Sequence, residues 1–198
     1  MSSDSWEGSS PEQLAWHESG HAVAYWAQGI PLAYVTIVGY EAQPRPHTQP
    51  IDVNGGTYGQ QVLARTAGLV VELQFSRQHI SDAGIVELLL GSGDDRFELV
   101  GVLSGTISRQ PRGPRVGPGE DLWHISPEGA ERPFTARQAI DFWRDCERFV
   151  TSAAPAVAVI AGELLRRGFL TGEEVAQLAS AAMIGQSPVL VPLWTAED

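Results

Sequence analysis

Two histidines four residues apart, His17 and His21, flank Glu18 in a stretch whose apolar spacing is that of an α-helix, and the whole chain has only five histidines. Leu14, His17, His21, Ala24 and Tyr25 recur at helical intervals. Ser10 before Pro11 reads as a cap followed by proline at the first helical position, and Gly29 with Pro31 reads as the stop. Residues four apart on such a helix are separated by about 40° around the axis and about 6 Å along it, so both imidazoles can reach one ion. One helical turn would thus make half of a metal site. Gly20 adds a demand on packing: a mid-helix glycine costs roughly 0.5–1 kcal/mol relative to alanine, which predicts a close-packed neighbour there.

The expected ion is zinc. Catalytic zinc takes three protein ligands and keeps a fourth position open, and His17 and His21 supply two of the three. Glu18 lies beside the histidine face and not within it, which suits it to act as general base toward water on the metal. Zinc lowers the pKa of its water towards about 7 and polarises a carbonyl, so the expected chemistry is peptide hydrolysis.

Around this helix the pattern is mainly α, with a short strand or small sheet after it. Ala33 to Val38 is β-branched and aromatic and reads as a strand closed by Gly39. Glu41 to Thr57 is rich in Pro, Gln, Asn and Gly and reads as a loop. Tyr58 to Gln78 regains helical periodicity, with Gly68 its weak point. A shorter helical stretch is expected over Ser81 to Leu90 and another from Asp94 to Val100. Gln110 to Pro133 is too rich in Pro and Gly for regular structure and reads as a long loop. Thr135 to Val150 is an amphipathic helix, and Pro155 marks a break or the first turn of the next, which stops at Gly168. Leu170 to Val175 reads as a turn that starts a last helix ending near Met183.

The segment Leu14-Ala15-Trp16-His17-Glu18-Ser19-Gly20-His21-Ala22-Val23-Ala24, followed by Val35-Thr36-Ile37, resembles the peptidase domain of the FtsH family of ATP-dependent zinc proteases. The similarity continues at Leu63 to Glu72 and at Leu164 to Val175. It implies a mostly helical peptidase domain over 11–190; by composition the Ser- and Gly-rich residues 1–10 read as a disordered tail and 191–198 as an acidic one. It also implies an aspartate as third zinc ligand. Gly91-Ser92-Gly93-Asp94-Asp95 occupies the matching place and selects Asp95, while a register shift of one would select Asp94. By residue type alone the position stays open to Glu98, Glu72, His79, His124 and the acids near Asp82.

Thirteen basic and twenty-four acidic residues leave a net charge of −11, which repels phosphate backbones and anionic lipid and argues against nucleic acid as a partner. No run approaches the ~18 apolar residues of a membrane span, and no basic-then-apolar leader opens the chain, so the expectation is a cytoplasmic protein without membrane insertion. The lone Cys146 reads as a packed, inert thiol. No Gly-x4-Gly-Lys-Ser/Thr loop is present, so the chain is expected to act without an unfolding motor of its own, on flexible or unfolded protein segments. Such segments are expected to pair as a strand with an edge at Tyr34 to Val38. Two alternatives have the same motif: a regulatory peptidase that cuts one partner, and a zinc-bound but silent interaction module. The homo-oligomeric state is left open, because the family's rings assemble through an ATPase module.

Overall fold

The computed structural model describes residues 9–38, 46–52, 58–77, 80–82, 84–85 and 136–188. The chain is mainly helical with a small antiparallel sheet. In order the elements are α1 (Pro11–Ala27), β1 (Leu32–Thr36), β2 (His47–Pro50), α2 (Tyr58–Phe75), α3 (Ala136–Ser152), α4 (Ala154–Arg167), β3 (Phe169–Thr171) and α5 (Gly172–Ala182).

Helix α1 begins as its cap residues dictate. Ser10 accepts from the Gln13 amide at 3.2 Å, and the Gln13 side chain accepts from the Ser10 amide at 2.8 Å, closing a capping box ahead of Pro11. The helix is not simply amphipathic, however. From Leu14 to Tyr25 every residue except Trp16 is buried, because α2, α4, α5 and the sheet all pack against it. Its small residues (Ala15, Ser19, Gly20, Ala22 and Ala24) let those neighbours come close.

The closest neighbour is α2, and the pairing is antiparallel. Gln28 at the end of α1 donates to the Gln60 carbonyl near the start of α2 at 3.0 Å, while Trp16 near the beginning of α1 stacks on Phe75 at the end of α2 with ring centroids 4.9 Å apart. Between those ends the backbones touch at Gly20. A Cβ there would lie 2.7 Å from the Ala67 carbonyl oxygen and 2.9 Å from the Gly68 Cα. This is the close-packed neighbour that a mid-helix glycine demands.

The sheet has the order β2-β1-β3 with both pairings antiparallel. Two features depart from expectation. The Pro- and Gln-rich run assigned to a loop contains β2, and the turn before the last helix overlaps β3; both are too short to show an alternating pattern, β2 is polar besides, and pairing with β1 makes them strands. As a result β1 is central, with partners on both sides, so Tyr34 to Thr36 offers no edge to an added strand. Among the described residues β2 is an edge strand instead. Thr48, Val35 and Leu170 share one row across the sheet, and Val35 and Leu170 are wholly buried, so this face looks inward.

The remaining helices close the core. Cys146 is wholly buried on α3 beside Phe142, Trp143 and Phe149, and burial pushes its thiol far above the usual range, so it packs as a small apolar side chain. Gly168 ends α4 in the left-handed conformation, φ 76°, which glycine adopts without strain. Asp82, Gly84 and Ile85 are helical, within the stretch expected over Ser81 to Leu90. The expected helix over Asp94 to Val100 and the loop over Gln110 to Pro133 lie outside the described residues. Among those described, no single helix is long and apolar enough to cross a membrane; only the stretches Ile140–Ser152 and Ala154–Arg167 taken together reach that length and composition, and they bend by 73° at their junction.

Helix α5 has the second capping box. Thr171 accepts from the Glu174 amide at 3.2 Å, and the Glu174 carboxylate accepts from the Thr171 amide at 2.8 Å. That amide first, and then Arg167 at 2.7 Å, hold the Glu174 carboxyl below its ordinary value of 4.5. The folded chain therefore binds this proton less readily than the unfolded one. The contribution is in place above pH 4.5 and is lost as pH falls through the lower folded value. Replacing Thr171 with alanine is expected to lower stability by about 1 kcal/mol in urea titrations at neutral pH. The difference from the parent should shrink as the pH is taken below 4.5, where protonation of Glu174 weakens the 3.1 Å bond it accepts from the Thr171 hydroxyl.

Candidate metal centre

The two histidine rings of α1 meet over the α2 face made by Ala64, Gly68 and Glu72, residues four apart and so aligned on one side of that helix. His21 Nδ1 lies 2.7 Å from the Ala64 carbonyl oxygen, and His17 Nδ1 lies 2.9 Å from Glu72 Oε2. The antiparallel crossing explains the order: His21 meets the earlier residue of α2 and His17 the later one. Between them Gly68 leaves room for the His21 ring, since a Cβ there would fall 2.5 Å from both Cε1 and Nε2.

These contacts assign the tautomers. A backbone carbonyl can only accept, so His21 carries its proton on Nδ1 and donates it to Ala64; the Glu72 carboxylate sets His17 the same way. Both Nε2 atoms then present lone pairs, and they lie 2.9 Å apart with the rings nearly perpendicular at 81°. Two lone pairs at that distance repel unless a cation is shared between them. A metal ion or a proton satisfies both. Imidazoles held by Nδ1–H to a carboxylate or a backbone carbonyl, with Nε2 converging, are a donor arrangement that metal-binding proteins use, and the pair supplies two of the three nitrogen or oxygen donors that a catalytic zinc needs.

His17 is 2% exposed and His21 9%, so the pair is largely withdrawn from bulk water. Glu18 is equally buried at 2%, and its carboxylate is held from the sheet: Thr48 Oγ1 of β2 is 2.8 Å from Glu18 Oε2 and 3.1 Å from the Glu18 carbonyl oxygen. The three motif residues are thus supported by different elements, the histidines by α2 and the glutamate by β2.

Of the other candidates for a third ligand, Glu72 bonds to Nδ1 of His17, across the ring from the Nε2 pair, which makes it an orienting group. Asp82 is 64% exposed and paired with Arg144 at 3.0 Å on the surface. Asp95, Asp94, Glu98, His79 and His124 lie outside the described residues, and among those described no group of three His, Cys, Asp or Glu side chains is placed to hold one ion. Sequence reasoning left Ala64, Gly68 and Thr48 unassigned. Gly68 had a signal, a second mid-helix glycine to match Gly20; Thr48 had none, since nothing local marks it as facing Glu18.

No protein-family model matches the chain, and no curated protein matches it either.

Proposed function

We propose that this chain is a zinc-dependent endopeptidase that hydrolyses flexible or unfolded protein segments. The observation that carries the reading is the convergence of the His17 and His21 Nε2 atoms at 2.9 Å, each ring anchored through Nδ1, with the buried Glu18 carboxylate on the same helix. His17 and His21 would hold the ion, with Asp95 as the third ligand that the sequence resemblance implies. A bound zinc supplies Lewis acidity toward a peptide carbonyl and lowers the pKa of water towards about 7. Glu18 takes the proton from the attacking water and returns it to the leaving amine. Glu72 and the Ala64 carbonyl hold the imidazoles in the tautomer that leaves Nε2 as donor to metal.

Substrate fits the sheet. An extended peptide adds as a further strand along the outer edge of β2, the strand that also touches Glu18, so its scissile bond is brought alongside the base. A segment without structure of its own is free to pair in this way.

The test combines composition and activity. The purified chain is expected to hold one zinc per molecule by elemental analysis and to hydrolyse fluorescently labelled casein. A chelator should remove both properties and added zinc should restore both. Zinc binding with casein and a disordered peptide library left intact would sink the peptidase reading in favour of a silent zinc module.

A further inference from the structure

We propose that Thr48 is a positioning residue for Glu18 and couples that carboxylate to occupancy of the β2 edge by an extended peptide; the inference rests on the peptidase reading above. The Thr48 hydroxyl has one proton and two acceptors within reach, both on Glu18, and the shorter contact, 2.8 Å, is to the carboxylate. A bond to Oε2 ties the carboxylate to β2 and restrains its rotation. Because Glu18 is 2% exposed, bulk water contributes little to its orientation, and a protein donor decides where it points.

The donor is itself placed by the sheet. Thr48 pairs with Val35, which pairs on its other side with Leu170, and the buried positions of Val35 and Leu170 turn this row toward the core. Thr48 reaches Glu18 only while β2 keeps its register on β1. Among the described residues the strand that β2 pairs with is β1, over the four residues His47–Pro50, with an irregularity between Leu32 and Tyr34. A peptide strand on the outer edge gives β2 a second ladder of hydrogen bonds and fixes the strand from both sides. Binding energy from substrate residues remote from the scissile bond then reaches the base through Thr48, and it appears in kcat as well as in KM.

Steady-state kinetics on two fluorogenic peptides with the same scissile bond test this, one long enough to pair with all of His47–Pro50 and one cut short. The enzymes are the zinc-loaded full chain and its Thr48→Val and Thr48→Ser forms. The parent should turn over the longer peptide with the higher kcat. Thr48→Val should lower kcat by about 10- to 100-fold with KM near the parent value, and the longer peptide should lose its kcat advantage while keeping its KM advantage. Thr48→Ser, which restores the hydroxyl, should recover both. A double variant with Glu18→Gln gives a second readout: the residual kcat of Glu18→Gln should be insensitive to Thr48→Val, because the group being positioned is no longer a base. Parent-like kcat and length dependence in Thr48→Val would overturn the inference while leaving the peptidase reading standing, as would failure of Thr48→Ser to recover kcat at unchanged melting temperature. A parent that cleaves neither peptide overturns the peptidase reading and this inference with it.

Discussion

Glu18→Gln protein is expected to bind zinc as the parent does and to hydrolyse peptides about 10²–10⁴-fold more slowly, the range that a positioned general base contributes. Glutamine keeps the volume of the side chain and an oxygen that can accept from Thr48, so the helix and its contact with β2 should survive. It lacks a site for the water's proton. Zinc content by elemental analysis, far-ultraviolet circular dichroism and kcat/KM on a fluorogenic peptide together separate loss of chemistry from loss of fold. The Nδ1 bonds that orient the histidines go to Glu72 and the Ala64 carbonyl, which the substitution leaves in place, so metal affinity should stay within about twofold of the parent. Unchanged turnover in this variant would remove Glu18 from the mechanism.

Gly68→Ala is the second change with a large expected effect, and it acts without removing any polar group. The added methyl would sit 2.5 Å from Cε1 and Nε2 of His21 and 2.9 Å from the His17 carbonyl oxygen. The helix backbone cannot yield easily, because Gly20 already packs against Ala67 and Gly68. The His21 ring must turn, and turning breaks its 2.7 Å bond to the Ala64 carbonyl and carries Nε2 away from that of His17. Zinc affinity should fall by about 10- to 100-fold or more, comparable with losing an outer-shell support. In the metal-free protein it should cost stability as well, because the methyl meets the His17 backbone carbonyl as well as the ring and alanine regains only roughly 0.5–1 kcal/mol of helix propensity against that. Gly20→Ala is the contrast: its methyl meets backbone 2.7 Å away, so it should cost about 1–3 kcal/mol of stability whether or not metal is bound. Competition with a chromophoric chelator distinguishes the two, and thermal melts of the metal-free proteins report the stability cost of each. A Gly68→Ala protein with parent affinity for zinc would show that the His21 ring is not held where the Nε2 pair requires it.

Much of this could be read from the chain alone, because the relevant physics is local. The capping box at Ser10, the proline behind it and the i, i+4 spacing of His17 and His21 specify a helix and a two-nitrogen face with no reference to the rest of the molecule. The same holds for α2, for the proline-started α4 and for its left-handed stop at Gly168. Gly20 announced a close approach, since it is unfavourable in a helix without one, and Gly68, read only as a weak point of its helix, carried the same signal. Their identity as partners was not announced, because the crossing of two helices depends on how the whole core packs.

What only the tertiary structure decided is the support around the motif. β2 and β3 became strands because β1 offered them hydrogen-bonding edges, and a four-residue polar run has no pattern that survives outside that pairing. That pairing moved the available edge from β1 to β2 and brought Thr48 to Glu18. The antiparallel seat of α1 on α2 brought Glu72 and the Ala64 carbonyl to the two Nδ1 atoms, and so set the tautomers that turn Nε2 of each ring toward the other. A helix can carry two histidines and a glutamate by its period alone. Holding their protons and carboxylate oxygens in place takes groups 30 to 55 residues away in sequence, and only the folded packing brings those together.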